Sequence, residues 1–450
     1  MKERNNYLFN VIKELLVARD EKHLKQFLQD MHHADVAEVL KNLSTKTQKQ
    51  YLLAQLDSDQ AALVLNEFDA EFVADLLQEI SPERVSEIFE EMPFDDAADF
   101  LGELSENDKE KFLDLFEIQD AEDVRELMDY REDTAGGIMT TEYVAIPNNI
   151  TASKAIEVLR DTAPDAETVY YVYVINLQNQ LVGVISLREL IIANPASLVS
   201  DIMRKKVISV NVNDDQEDVA RMVAKYDFLA VPVVDQKQHL IGIITVDDVI
   251  DVIHEEATED LYRLAGTSED DETVAKFSTA VKSRLPWLLI TMVGGMLSGQ
   301  VLQRFSEELN AVVALAFFIP LLIGMGGNVG TQSSTVTVRG IATGQVNTGT
   351  IAKTVLKESM VGISLGTVMG VIVATTAFIW QGSFKLSLVV GLTMFTNMFA
   401  AATMGTAVPL FLRKIGVDPA AASAPFISTT VDVMGLIIYS ILATLILGIL

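Results

Sequence analysis

The spacing of apolar positions changes twice along the chain. Between about residues 35 and 130, short apolar units at helical spacing follow one another at 12-residue intervals: Val73-Ala-Asp-Leu-Leu77, Val85-Ser-Glu-Ile-Phe89 and Ala97-Ala-Asp-Phe-Leu101. This pattern predicts short helices bounded by Pro82, Pro93 or a Ser/Asp cap such as Ser81 or Asp95, stacked as a small superhelix. From about 137 to 253 a longer unit occurs twice in register. In each copy a Met (Met139, Met203) leads into a strand, an amphipathic helix follows, and two Val/Ile-rich strands flank a polar turn. Gly183 or Gly242 then precedes Ser186 or Thr245 by three residues, and Glu189 or Asp248 comes three later at a helix start.

After Arg284 the chain turns apolar, with stretches at about 285–303, 311–338, 355–380, 386–412 and 422–449. A hydrocarbon core of about 30 Å needs roughly 20 residues of helix, so each stretch is long enough to span. Five spans place the two termini on opposite sides. Lys282, Arg284, Arg339, Lys353, Lys357, Arg413 and Lys414 fall on the N-terminal side, against Arg304 and Lys385 on the other. Basic loops stay inside, which predicts a multi-pass protein of the cell (inner) membrane with a cytoplasmic N-terminal half and the C-terminus outside. The N-terminal MKERNNYLFNVIKELL has no apolar core of signal-peptide length.

Charge divides the chain in the same place. Of 63 acidic residues 58 precede Lys276, as do 24 of the 34 basic ones, so the first half carries −34 and the second +5. So negative a surface disfavours nucleic acid and attracts hard cations. There is no cysteine, which excludes thiolate metal sites and cysteine nucleophiles, and the five histidines show no zinc-like spacing. Any metal must be held by oxygen.

Asp432, in Thr429-Thr-Val-Asp-Val-Met-Gly435, is the only acidic residue well inside a predicted span. A carboxylate there costs roughly 2.5–3.5 kcal/mol on insertion scales, so it belongs to a polar cavity. Asp418 and Glu358 fall at predicted span starts, where capping is the alternative role. The segment Gly324-Met-Gly-Gly-Asn-Val-Gly-Thr-Gln-Ser-Ser-Thr335 places Asn328, Thr331 and Gln332 at membrane depth; its glycines suit either close helix contact or local unwinding. Five helices do not readily enclose a pore, which favours a homodimer with two Asp432 carboxylates facing one cavity. Mg²⁺ sheds water reluctantly, and one carboxylate per chain flanked by Thr429 and Thr430 suits a hydrated ion.

The repeat over 137–253 resembles a tandem pair of CBS modules. That resemblance implies an adenine nucleotide framed by Tyr171, Arg188, Glu189 and Phe228, with packing and dimerisation alone as the alternative. The whole order of blocks, ending in GMGGNVGTQSST, GVDPA and DVMGLIIY, resembles the MgtE family of magnesium channels and transporters. It implies an all-α superhelical N-terminal domain (1–130), α/β tandem CBS domains (137–199 and 200–253), a connecting plug helix (254–280) and a five-span α-helical transmembrane pore domain (281–450). It further implies a homodimer in membrane lipid, not an enzyme, that takes up Mg²⁺. The implied pore residues are Asp432, Asp418, Asn328, Thr429 and Gly435. Regulatory Mg²⁺ would sit between Asp95 and Asp99 on one side and Asp227, Asp248 and Asp251 on the other. Asp215, Glu217, Glu255, Glu259 and Asp260 would bridge towards the connecting helix, with ATP as a candidate modulator. The rival readings are a membrane-anchored nucleotide or divalent-cation sensor without transport, a CBS-gated anion channel and an intramembrane aspartyl hydrolase.

Overall fold

The computed structural model describes residues 2–78, 80–162, 166–268, 277–346, 349–422 and 424–448. They form two compact units, Met1–Val252 and Ile253–Leu450.

The first unit opens with helices α1 (Lys2–Ala18), α2 (Glu21–Gln29), α3 (His33–Asn42), α4 (Lys46–Leu53), α5 (Ser58–Leu65), α6 (Ala70–Leu77), α7 (Pro82–Phe89), α8 (Phe94–Gly102), α9 (Glu106–Leu113) and α10 (Ile118–Met128). From α4 onward every helix starts 12 residues after the one before it. The hydroxyls of Thr45, Ser81 and Ser105 cap three of these starts by accepting from Gln48, Arg84 and Asp108. Pro82 occupies the first turn of α7, where its missing N–H costs nothing. Asp95 is not a cap, because Pro93 holds that position and Asp95 lies inside the first turn of α8. Helices pack on their second neighbours, α3 on α5, α5 on α7, α4 on α6 and α8 on α10, which winds the array into the expected superhelix.

Two three-stranded sheets follow. β1 (Tyr143–Pro147), α11 (Ala152–Thr162), β2 (Thr168–Ile175), β3 (Leu181–Ser186) and α12 (Leu187–Ile192) form the first module. After the short α13 (Val199–Ile202) come β4 (Val210–Asn211), α14 (Gln216–Tyr226), β5 (Ala230–Val234), β6 (Leu240–Thr245) and α15 (Val246–Ala265). In both sheets the first pair is parallel and the second antiparallel, and Tyr171 opposite Ser186 corresponds to Ala230 opposite Thr245. Each module closes the other: Met203 packs on Gly183, Met139 packs on Gly242, and Thr140 bridges to Ile243 as Arg204 does to Val184.

One hydrophobic core runs from Ile12 through the helical array into the second module, where Val210, Val231, Ile244 and Val252 join it. The first module keeps a separate core around Val172, Ile185 and Leu190. α15 is continuous across residue 253, so the boundary expected at 253/254 lies inside a helix; residues 269–276 of the expected connecting element lie outside the described residues.

Among the described residues of the second unit five helices are long and apolar enough to cross a membrane: α16 (Phe277–Arg304), α18 (Ile319–Ala342, extended at its start by a 3-10 turn), α19 (Ile351–Gln381), α20 (Phe384–Lys414) and α21 (Ala424–Leu447). The short α17 (Ser306–Ala311) joins the first two. Gly362, Gly366 and Gly370 form one stripe of α19 that admits the backbone of α20. The family's expected architecture of helical superhelix, paired α/β modules and five-span bundle is the one observed.

Candidate functional site

Carboxylates collect in the first unit where α8 meets the second module. Asp95 is 8% exposed. Burial first, then the charges of Asp248, Asp96 and Glu167, raise its carboxyl well above the ordinary range. Burial with Asp248, Asp247 and Glu142 pushes Asp96 up to about 7, against the side chain of Asn66, which lowers it. Glu167 is likewise raised to about 7 by burial and the same neighbours. Asp248 is held by Thr245, whose Oγ1 donates at 2.5 Å and whose N–H donates at 3.2 Å, yet burial and Asp247 and Asp251 still raise it. Glu142 accepts from the Phe94 N–H at 3.0 Å, so it caps the open start of α8 across 48 residues of chain.

The structure therefore brings Asp95, Asp248 and Asp251 together, and adds Asp96, Glu142, Glu167 and Asp247, which sequence reasoning missed. Among the described residues no three Asp, Glu or His side chains converge closely enough to ligate a bare ion. Such a cluster suits cations held through their water. Asp99 is exposed one turn beyond Asp95 on α8. Asp227 ends α14 in the left-handed region at φ 53°. Asp215 caps α14 by accepting from Glu217, and Glu217 pairs with Arg221 at 3.3 Å.

Between the modules lies a cavity of about 470 Å³ lined by Tyr171, Ser186, Glu189, Arg204, Lys206 and Phe228, among others. Its size falls in the range of small-ligand sites. Glu189 and Ser186 form a capping box at the start of α12, and Glu189 also pairs with Arg204 at 2.7 Å. The Arg204 guanidinium and the Ser186 backbone hold Glu189 below the usual carboxylate range. Tyr226 stacks on Phe228 at 5.4 Å and extends the aromatic wall. Arg188 is exposed and does not line the cavity, because it sits on the outer face of the α12 turn that turns Glu189 inward; Arg204 and Lys206 supply the positive charge instead.

In the second unit α15 carries Glu255, Glu259 and Asp260. Glu259 pairs with Arg263, and Arg263 pairs with Asp418. The second oxygen of Asp418 accepts from Ala420 N–H at 2.8 Å, so this residue caps the turn at Pro419. Burial, Asp418 and Glu256 push Asp260 up to about 6.

The glycine-rich segment does not unwind: α18 is helical throughout. Three of its glycines are contact points, Gly326 with Asn397, Gly327 with Ser428 and Asp432, and Gly330 with Ile427 and Val431, while Gly405 of α20 meets the Gly330 carbonyl. Asp432 lies at that contact with a buried Oδ1 that has no hydrogen-bond partner among the described residues. Thr429 packs its methyl against Gly294 of α16, Gly435 faces Asn397, and Asn328 is exposed on α18. Glu358 does not open its span. α19 starts at Ile351 because the Lys-bearing turn before Glu358 is already helical, and buried Glu358 accepts from Ser333 Oγ at 3.2 Å.

Residues 319–442 match a family model described as the MgtE divalent cation transporter, 31–133 match the MgtE intracellular N domain, and 135–195 and 199–255 match CBS domains. A magnesium transporter MgtE of Bacillus subtilis (strain 168) is 43% identical over 321 residues, 71% of either chain. The magnesium transporter MgtE of Thermus thermophilus is 42% identical over 327 residues, 72% of either chain. The crystal structure of the cytosolic domain of the Mg²⁺ channel MgtE in complex with ATP superposes with a TM-score of 0.52 at 40% identity, covering 54% of this chain and 98% of that one.

Proposed function

Because the chain belongs to the MgtE family of divalent cation transporters, we propose that it is a homodimeric Mg²⁺ channel of the cell membrane that admits Mg²⁺ down its gradient. One observation carries this reading: Asp432 keeps a buried carboxylate oxygen, without a hydrogen-bond partner among the described residues, at the meeting of α18 and α21. A half-buried carboxylate between spans attracts a cation, and its lack of a protein hydrogen bond at Oδ1 among the described residues leaves the group able to turn to the water shell of Mg²⁺. A membrane-anchored sensor would leave this residue without a role. The N-terminal half faces the cytoplasm and the C-terminus the outside, as the basic loops require.

Gating follows from charge. Asp95, Asp96, Glu142, Glu167, Asp247 and Asp248 repel one another once ionised, and Asp99, Asp227 and Asp251 add to the same negative field. Cytosolic Mg²⁺ between them favours the packed, closed arrangement, and its loss loosens the contact and opens the pore. Moving a gate from 1:99 to 99:1 takes about 5.5 kcal/mol, which several weak sites together supply. Asp215 and Glu217 on α14, and Glu255, Glu259 and Asp260 on α15, are the further holders of regulatory Mg²⁺ in this reading. Asp418 contributes at the cytoplasmic mouth, and Asn328, Thr429 and Gly435 shape the pore around Asp432.

ATP fits the cavity between the CBS modules, with Tyr171 and Phe228 beside the base, Ser186 and Glu189 at the ribose and Arg204 and Lys206 at the phosphates. The deciding experiment is Mg²⁺ flux into proteoliposomes for wild type and Asp432→Ala at low internal Mg²⁺, with dimerisation checked in parallel. Wild-type conduction lost in the folded variant is expected. Equal conduction by both would overturn the assignment of Asp432.

A further inference from the structure

One buried side chain at the crossing of three spans has no part in the scheme above. Asn397 of α20 is 0% exposed. Its Nδ2 donates to the Leu322 carbonyl of α18 at 2.9 Å, an orientation fixed because a carbonyl only accepts. Gly326 of α18 lies against the same nitrogen, and on α21 a Cβ at Gly435 would stand 2.8 Å from Oδ1. The amide is thus wedged between two glycines on two different spans. The next residue of α18, Gly327, faces the carboxylate of Asp432, where a Cβ would stand 3.6 Å from its Oδ1. Asp432 and Gly435 are about one turn apart on α21, so amide and carboxylate share one stretch of the α18–α21 contact.

Packing alone does not explain an amide here. A leucine is of similar size and would leave no polar atom behind, whereas Asn397 Oδ1 has no hydrogen-bond partner among the described residues. What the amide adds is a directional tie from α20 to α18 at the level where α21 must be held.

We propose that Asn397 is a positioning residue for ion passage, fixing the spacing of α21 against α18 at which Asp432 meets the ion, and so setting the preference for Mg²⁺ over Ca²⁺. The inference rests on the transport reading above. Mg²⁺ demands near-ideal geometry around it and Ca²⁺ tolerates a loose one, so slack between the two helices penalises Mg²⁺ selectively. Residues that orient a metal-binding group through packing and hydrogen bonds typically change affinity by roughly 10- to 100-fold.

The test uses the full-length chain in proteoliposomes, with Mg²⁺ and Ca²⁺ influx measured separately for wild type, Asn397→Leu, Asn397→Ala and Asp432→Asn, and with dimerisation and thermal midpoint as controls for folding. Asn397→Ala serves if Asn397→Leu does not fold. The expected result is a Mg²⁺-to-Ca²⁺ flux ratio lowered by roughly tenfold or more in a folded Asn397 variant, with Ca²⁺ flux retained. An unchanged ratio, or an equal loss of both fluxes, overturns the inference. Asp432→Asn separates the two levels. If it abolishes Mg²⁺ flux while the Asn397 variants keep the wild-type ratio, only the positioning role falls; if it conducts like wild type, the transport site and this inference fall together.

Discussion

Arg263 of α15 pairs with Asp418, and the other oxygen of that carboxylate caps the turn at Pro419. A single guanidinium therefore ties the charged helix to the loop that opens the last span. The same group offsets the charge around Asp260. Replacing it with Arg263→Gln removes that positive charge from beside Asp260, Glu259 and Asp418. Both side chains of the pair are about one-third or more exposed, so its worth is ~1 kcal/mol or less. The Mg²⁺ concentration that closes the channel should move by up to about fivefold, read from flux against internal Mg²⁺. No shift would mean that the pair is ornamental to gating.

The raised carboxylates predict a pH dependence with a definite sign. Asp96 and Glu167 titrate at about 7 in the folded chain, against 3.8 and 4.5 ordinarily. Between those values the folded state keeps protons that the unfolded chain has released, so stability falls as pH rises, and above about pH 7 the loss is complete. Without Mg²⁺ the thermal midpoint should be lower at pH 8 than at pH 5.5. Added Mg²⁺ should raise it more at pH 8, where no protons compete for the carboxylates.

Neutralising one member of the cluster should imitate the cation. Asp95→Asn keeps an acceptor for the Asp96 N–H and removes a buried carboxyl that Asp248 opposes when ionised. At pH 8 without Mg²⁺ this variant should unfold at least about 2 °C higher than wild type, the shift that roughly 1 kcal/mol gives in a unit of this size. Its further gain on adding Mg²⁺ should be smaller. A lower midpoint would show that Asp95 is held by a contact rather than opposed by charge.

The reciprocal Met–Gly contacts predict a stability defect without a chemical one. A methyl at Gly183 would overlap Met203 Sδ, so Gly183→Ala forces the Met203 side chain out of its seat at a cost of about 1–3 kcal/mol. The double change Gly183→Ala with Met203→Ala should recover part of that loss. Calorimetry of the single and double variants checks it, and additive losses would rule the contact out.

In the nucleotide cavity, Phe228→Ala should weaken ATP binding by about 1–3 kcal/mol, the usual worth of a base stacked on an aromatic ring. Arg188→Ala should have a smaller effect than Lys206→Ala, since Lys206 lines the cavity and Arg188 does not. Titration of the full-length protein with ATP distinguishes these, and a reversed order would return the phosphate contact to Arg188.

The sequence alone determined whatever is periodic or local. The 12-residue repeat is visible in three units and proves to pace seven helix starts from Lys46 to Ile118, because a helix buries one face at fixed spacing whatever it packs on. The doubled strand–helix unit and the five spans are legible for the same reason. Asp432 stands out because a lone carboxylate in an apolar run is costly wherever the run ends up. Only the tertiary structure decided which distant residues meet. Glu142 caps α8 from 48 residues away, Glu167 joins Asp96 from the residue before β2, and Arg263 reaches Asp418 across 155 residues. None of these partners has a local pattern, since a carboxylate on a polar helix reads as solvated until something buries it. Asn397 is hidden in the same way: an amide among threonines and methionines carries no signal until two glycines, one on α18 and one on α21, close around it.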